Sequence, residues 1–209
     1  MFEIQNILLF MLAGITLNFT PGPDMMYVIT RSVTEGRYAG IASAFGIAGG
    51  TIIHTLAVAF GLTGLLLAVP SAYVIIKLVG AAYLVYLGFR TLFKRQKDGS
   101  LISGNKKSIK SIFYQGVLTN VFNPKVALFF LAFLPQFIDP SKGSIALQII
   151  LLGLIFNTTG TIVNVIVAIT ASRLGNKLKT KLNNSSVFKW IAGTVFISLG
   201  IRLALLESK

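Results

Sequence analysis

The chain alternates between long apolar tracts and short polar segments. The apolar tracts cover residues 4–34, 39–69, 71–89, 112–138, 144–171 and 187–206. A helix that crosses the hydrocarbon core of a bilayer needs roughly 20 predominantly apolar residues, and each tract is about that long or longer. The pattern therefore predicts an all-α integral membrane protein with six transmembrane helices.

Composition supports this prediction and excludes several kinds of site. Of the 209 residues, 54% are hydrophobic and 12% are charged, and the mean hydropathy is +0.78, which is high for a soluble domain. The chain has no cysteine and one histidine, His54, which excludes thiolate and multi-histidine metal sites. We expect no cofactor, no metal and no catalytic residue.

The net charge of +13 is spread over separate loops and does not follow one helical face, so we expect a lipid bilayer and not a nucleic acid as the partner. The first apolar tract lacks a preceding basic region and a small-residue cleavage site, so we expect it to be retained. One transmembrane domain, 1–209, accounts for the whole length. A polar segment, 94–111, divides it into repeat one, 1–93, and repeat two, 112–209.

The basic residues are distributed unequally between the two sides of the predicted topology. The loops after the first, third and fifth helices hold fourteen of them: Arg31, Arg37, Arg90, Lys94, Arg95, Lys97, Lys106, Lys107, Lys110, Arg173, Lys177, Lys179, Lys181 and Lys189. The opposite side holds Lys142, Arg202 and Lys209. Because cytoplasmic loops carry the excess of Lys and Arg, both termini are predicted outside.

The two halves resemble each other in sequence. Segment 77–90 matches segment 189–202, with Lys, Leu, Gly and Arg in register 112 positions apart. Further correspondences pair Gly14 and Asn18 with Gly116 and Asn120, and Gly50-Thr51 with Gly160-Thr161. Since each half has three helices, the second must enter the membrane upside down. The sequence thus predicts two inverted three-helix repeats, an arrangement common in secondary transporters.

Helices 1 and 4 are predicted to be broken near the midplane. Pro21 and Pro23 remove two amide donors and Gly22 relaxes the backbone between them. In the fourth tract, Asn123 fits an N-cap and Pro124 the first helical position. Irregular backbone at membrane depth is tolerated where it lines a cavity or is buried in protein, so the two breaks indicate a central substrate site.

Asp24 and Lys125 each follow the proline of a break, and we place them near the bilayer centre, where a charge costs at least ~2.5 kcal/mol. We expect Asp24 to receive the ammonium group of a zwitterion. Lys125 and the amides after Pro124 would receive its carboxylate. The complete predicted substrate-binding set is Asp24, Lys125, Asn123, Asn120, Asn18 and Gly22.

A purely structural role is open to each of these polar residues as well. Asp24 would also complement the dipole of its own helix, Lys125 could extend to the membrane interface, or the two could form an ion pair. Asn18 and Asn120 could instead satisfy freed backbone groups. Asp24 and His54 are candidate proton relays, although a lone histidine bonded to a neighbouring helix is as plausible. Ala42, Gly46 and Gly50 form a small-residue ridge that suits helix packing.

These motifs together resemble the lysine exporter and homoserine/threonine resistance (LysE/RhtB) family of bacterial amino-acid exporters. The resemblance spans nearly the whole chain and rests on segments 21–23, 36–40, 77–90, 116–125 and 133–137. It implies efflux of amino acids or their derivatives across the bacterial inner membrane, driven by the proton gradient or the membrane potential. One departure is Thr51, where many members carry an acidic residue.

Two other classes of function are less well supported by the sequence. A membrane-embedded enzyme would need a nucleophile elbow, a zinc motif or a carboxylate pair, and none is found. A passive channel would need polar residues that continue across the bilayer, whereas the polar residues here gather at the two breaks. The small-residue faces also make a homodimer conceivable.

Overall fold

The computed structural model describes residues 4–68 and 107–174, with single positions between 78 and 93 and between 190 and 204. Every regular element in these residues is helical. The α-helices are α1 (Ile4–Phe19), α2 (Pro23–Glu35), α3 (Arg37–Ala68), α4 (Ile109–Val121), α5 (Pro124–Leu128) and α6 (Ile145–Leu174). The predicted third and sixth helices, most of loop 94–111 and the paired segments 77–90 and 189–202 lie outside the described residues, apart from those single positions.

The predicted break in the first tract is confirmed. α1 ends at Phe19 and α2 begins at Pro23. Gly22 is the N-cap of α2, but its φ of −159° is an extended conformation that any residue can adopt. The sequence predicted that glycine relaxes the backbone at this position, but the structure gives a different reason for it. A Cβ atom on Gly22 would lie 3.3 Å from Lys125 Nζ. Gly22 makes room for the lysine.

The break in the fourth tract is confirmed as well. α4 ends at Val121, Asn123 caps α5 and Pro124 takes its first position, with a bend of 48° between the two helical segments. After α5 the chain widens into a π-helical turn, Phe129–Phe133, and tightens into a 3₁₀ turn, Leu134–Phe137. Pro135 explains this irregularity, because its ring clashes with the carbonyl four residues earlier and it donates no hydrogen bond.

The described helices agree with a membrane-spanning chain. α3, over Arg37–Gly61, and α6, over Ile145–Leu174, are each long and apolar enough to cross a bilayer. The bent pair formed by Ile109–Val121 and Pro124–Phe137 makes a third span if it is counted as one. In the part of the chain that the structure describes, the fold is therefore all-helical with two to three apolar spans.

α3 lies at the centre of the described helices and packs against α4 and α6, while α2 packs against α3 and α6. Gly46 allows α3 and α4 to touch, because a Cβ atom there would lie 2.2 Å from the Phe113 carbonyl oxygen. On α4, Gly116 has the same role, with its Cβ position 2.8 Å from the Ser43 carbonyl oxygen. The predicted packing role of the small-residue ridge is confirmed for Gly46.

An aromatic cluster packs α1, α6 and the irregular segment after α5 together. It includes buried side chains whose ring centroids lie 4.9 to 6.2 Å apart, namely Phe10, Phe129, Phe130, Phe133, Phe137 and Phe156. Aromatic rings at these separations contribute beyond their buried area. The cluster gives the irregular segment a fixed position against α1 and α6.

A polar network joins the end of α2 to the beginning of α4. Arg31 pairs with Glu35 and donates to Gln115 Oε1 at 2.9 Å, while the Lys107 amide donates to Glu35 Oε2 at 2.8 Å. Arg31 is only 7% exposed and lies in the last turns of α2. The network joins it through Glu35 to Lys107, another residue of the basic side, so the count of basic residues is unchanged and the predicted orientation stays a prediction. Gly36, with φ of +92°, then turns the chain into α3.

The contact between α3 and α4 gives a test of the fold. We expect Gly46→Ala to lower the melting temperature of the detergent-purified protein, because overpacking of this kind typically costs about 1–3 kcal/mol. Gly61→Ala is the matched control, since no atom of another described helix lies within 4 Å of its Cβ position and alanine favours the helix. Equal melting temperatures for the two variants would contradict the described packing.

Candidate functional site

A narrow cavity lies between the two broken helices and the long helices α3 and α6. The space in the cavity that is not filled by atoms is about 390 Å³, and this volume includes solvent at the mouth of the cavity. Its polar lining comes from both breaks and from both long helices: Asn18, Asp24, Thr51, Asn120, Lys125, Asn157, Thr161 and Asn164. Met25, Ile47, Val126 and Phe156 are among its apolar walls. Polar side chains outnumber apolar ones in this lining, so the cavity favours a small polar ligand over an apolar one.

Asp24 lies in the first turn of α2 and is 8% exposed. Its Oδ2 atom accepts a hydrogen bond of 2.8 Å from Asn120 Nδ2. Its Oδ1 atom is buried and has no partner within hydrogen-bond distance among the described residues, although the Asn123 side chain lies near the carboxyl group. A buried carboxylate oxygen without a donor is costly, so Asp24 has unused capacity to bind a cationic or hydrogen-bonding group.

Lys125 crosses the cavity towards the other break. Its ammonium group donates to the carbonyl oxygens of Leu17 and Thr20, each at 2.9 Å. It does not extend to the membrane interface, because the side chain is buried, and it forms no ion pair with Asp24 within 4 Å. Since an ammonium has three N–H groups, one is left without a partner among the described residues.

Asn123 performs the predicted capping role. Its Oδ1 atom accepts a hydrogen bond of 3.0 Å from the Lys125 amide, and its carbonyl oxygen accepts from the amides of Val126 and Ala127. The amides after Pro124 are therefore occupied, and the expectation that they are free to receive a carboxylate was wrong. Asn123 Nδ2, which is fully buried, has no partner within hydrogen-bond distance among the described residues, and its side chain lies near the Asp24 carboxyl group.

Asn18 and Asn120 occupy related positions at the ends of α1 and α4. Asn120 packs on Gly50, where a Cβ atom would lie 2.7 Å from the Asn120 Cβ. Asn18 packs on Gly160, where a Cβ atom would lie 3.0 Å from Asn18 Oδ1. Each asparagine thus contacts a glycine from the opposite half of the chain. Thr51, next to Gly50, lies 3.4 Å from Asn120 Oδ1 and lines the cavity.

His54 bonds to a neighbouring helix. Its Nε2 atom lies 3.1 Å from the Asn120 carbonyl oxygen, which requires Nε2 to carry the proton, and its ring stacks on Phe130 at 5.8 Å. His54 is not among the residues that line the cavity. It satisfies a carbonyl group at the end of α4, and its predicted role as a proton relay stays a prediction.

The sequence analysis missed a polar face of α6. Asn157, Thr161 and Asn164 line the cavity from one side of this helix. The side chains of Asn157 and Asn164 form no hydrogen bond with other described residues. Their spacing of four and three positions, in an otherwise apolar helix, is the signal that would have identified them. Only Thr161 was noted, and only as part of the internal repeat.

Capping of α5 can be separated from the rest of the site by experiment. We expect Asn123→Ala to cost about 1 kcal/mol of stability, because an N-cap is lost, and also to lower transport, because Lys125 moves with the first turn of α5. Ser108→Ala removes the exposed N-cap of α4 and is the matched control. Thermal unfolding and a transport assay on both variants check this, and equal transport would contradict a role for Asn123 in the site.

Comparison with known proteins identifies the family of the chain. The model of the LysE type translocator family matches residues 15–207. The chain is 31% identical over 200 residues to a membrane protein of Synechocystis sp., with 95% of each chain covered. It is 30% identical over 197 residues to the membrane protein YrhP of Bacillus subtilis, covering 88% of this chain and 91% of YrhP. No solved structure matches. The chain is a membrane protein that belongs to the LysE type translocator family.

Proposed function

We propose that the protein is a secondary active exporter of amino acids or amino-acid derivatives from the bacterial cytoplasm. The observation that carries the proposal is the buried Asp24 carboxylate in the cavity, whose Oδ1 atom has no hydrogen-bond partner within the described part of the chain. Membership of a translocator family supports transport in general. The proposal places the protein in the bacterial inner membrane, and the unequal distribution of basic residues supports an orientation with both termini outside.

The ammonium group of the substrate binds Asp24 in this mechanism. An ammonium supplies the donor that Asp24 Oδ1 lacks and neutralises the carboxylate, so it removes two costs at once. The Asn120 bond to Oδ2 holds the carboxyl group in one orientation, which leaves Oδ1 for the substrate. The same geometry disfavours an anion lacking a cationic group.

The carboxylate of the substrate binds at the Lys125 side. One N–H group of the Lys125 ammonium is unused, and the positive end of α5 adds to its field. Asp24 and Lys125 lie on the two breaks, so a zwitterion between them contacts both. Asn157, Thr161 and Asn164 on α6 then contact the remaining part of the substrate.

The proton gradient or the membrane potential drives export in this proposal. Asp24 is the candidate proton carrier, since protonation and binding of an ammonium are alternative ways to neutralise it. His54 is a second candidate, because it bonds the backbone of the same Asn120 that bonds Asp24. The contacts of Asn18 with Gly160 and of Asn120 with Gly50 are those that a two-fold relation between inverted repeats would produce, and such repeats suit alternating access.

Export from proteoliposomes preloaded with labelled amino acids tests the site. We expect saturable, gradient-dependent efflux in the wild type and about 10- to 100-fold less in Asp24→Asn, because a hydrogen bond to a charged group is lost. Asp139→Asn is the matched control. Asp139 lies in the loop before α6, where hydrogen bonds from Ser141 lower the pKa of its carboxyl group, and asparagine can also cap the turn.

The outcomes separate the proposal from its alternative. Saturable efflux that is as fast in Asp24→Asn as in the wild type would keep the exporter and reject the assigned site. Efflux that never saturates and never runs against a gradient would identify a passive channel or facilitator for small polar solutes.

The polar face of α6 predicts a separate effect on affinity. We expect Asn164→Leu to raise the substrate KM about 3- to 10-fold with little change in the maximal rate, because one neutral hydrogen bond is lost. Thr170→Val, on the same helix and outside the cavity, is the control. A KM that is equal in the two variants would exclude Asn164 from the substrate site.

A further inference from the structure

The carbonyl groups at the end of α1 form an unusual environment. Leu17 O and Thr20 O both accept hydrogen bonds of 2.9 Å from the Lys125 ammonium, and these two carbonyls lie at the break between α1 and α2. The carbonyl ends of a helix carry the negative end of its dipole. Two such oxygens directed at one point attract a cation.

Lys125 is a surprising source for this cation. It lies in the first turn of α5, where a positive charge opposes the dipole of its own helix. The carbonyl oxygens of α1 compensate for this cost, and Gly22 leaves space for the ammonium at 3.3 Å from its Cβ position. The charge is therefore held by α1, although the side chain belongs to α5.

Unwound carbonyl groups at the ends of broken helices are the kind of ligand that binds sodium in membrane transporters. Carbonyl oxygens are also the ligands that replace the hydration shell of monovalent cations in channels. Asp24 lines the same cavity as Lys125. The end of α1 has the chemistry of a monovalent-cation site, and its position is taken by an ammonium group.

We propose that Leu17 O and Thr20 O form a monovalent-cation site whose resident cation is the Lys125 ammonium, tethered to α5. The tether makes the site independent of sodium and potassium in the wild type. Shortening the side chain leaves the site open to a free monovalent cation, such as Na⁺ or methylammonium. Methylammonium reproduces the end of the lysine side chain.

The experiment measures melting temperatures of the detergent-purified protein in NaCl, methylammonium chloride and choline chloride at equal ionic strength. For Lys125→Ala we expect a rise of about 3–6 °C in Na⁺ or methylammonium over choline, at a concentration tenfold above the Kd. Choline is too large for the site and serves as the reference. The wild type should melt at one temperature in all three salts.

Two variants serve as controls. Lys125→Met keeps most of the length of the side chain without its donors, so it fills the space and should show no response to the salt. Lys110→Ala removes an exposed lysine at the start of α4 and should behave as the wild type does. A response of Lys125→Met equal to that of Lys125→Ala would place the ion elsewhere and overturn the proposal.

Other results would also overturn or support the proposed cation site. Stabilisation of the wild type by Na⁺ would overturn the proposal, as would a Lys125→Ala variant that is indifferent to all three salts. If Lys125→Ala cannot be purified in choline, the comparison is its yield of monodisperse protein after extraction in each salt. Recovery in Na⁺ or methylammonium alone supports the proposal, whereas equal failure in all three overturns it.

The proposal uses the same cavity as the proposed exporter, and only its transport consequence rests on that function. If both hold, export by Lys125→Ala becomes dependent on Na⁺ or methylammonium, while export by the wild type does not. The melting temperatures involve no transport. Salt-dependent stability of Lys125→Ala without amino-acid export by the wild type would therefore keep the cation site and reject the exporter.

Discussion

The arrangement of the described helices depends on one constraint, which is that backbone groups freed at a helix break within a membrane must find partners in the protein. Lys125 satisfies two carbonyl groups at the end of α1, and His54 and the Asn123 amide satisfy the Asn120 carbonyl at the end of α4. The Asn123 side chain caps α5. Most of the polar side chains at the breaks are thus explained by backbone bonding before any ligand is considered.

The same constraint brings distant parts of the chain together. Lys125 reaches α1 from α5, and Asn120 reaches Asp24 in α2 from α4. Glycines on the long helices make these approaches possible, since a side chain at Gly50 or Gly160 would occupy the space of the asparagine that faces it. The cavity is therefore a consequence of how the breaks are satisfied. Its polar lining and its tight helix packing have one cause.

Sequence reasoning predicted the parts of this arrangement that follow from local chemistry. Proline lacks an amide donor, so both breaks and the capping role of Asn123 could be located from residue types alone. The sequence alone could not predict which side chains of one helix bind groups on another. The carbonyl partners of Lys125 and the hydrogen bond from Arg31 to Gln115 depend on contacts between residues far apart in the chain. The spacing of Asn157 and Asn164 could have predicted that they share one face of α6, but the apolar character of the helix as a whole drew attention away from them.

The two charges at the breaks differ in how fully they are satisfied, and this difference gives the site its polarity. Lys125 opposes the dipole of its own helix and is stabilised by another, so two of its three donors are committed to structure. Asp24 complements the dipole of its own helix and receives one hydrogen bond, so one buried oxygen remains without a partner among the described residues. In the proposed mechanism, the larger unmet demand in the cavity is therefore for a donor with positive charge. On that proposal a ligand gains more free energy by bringing an ammonium to Asp24 than by bringing a carboxylate to Lys125, and the proposed affinity for zwitterions depends mainly on the aspartate.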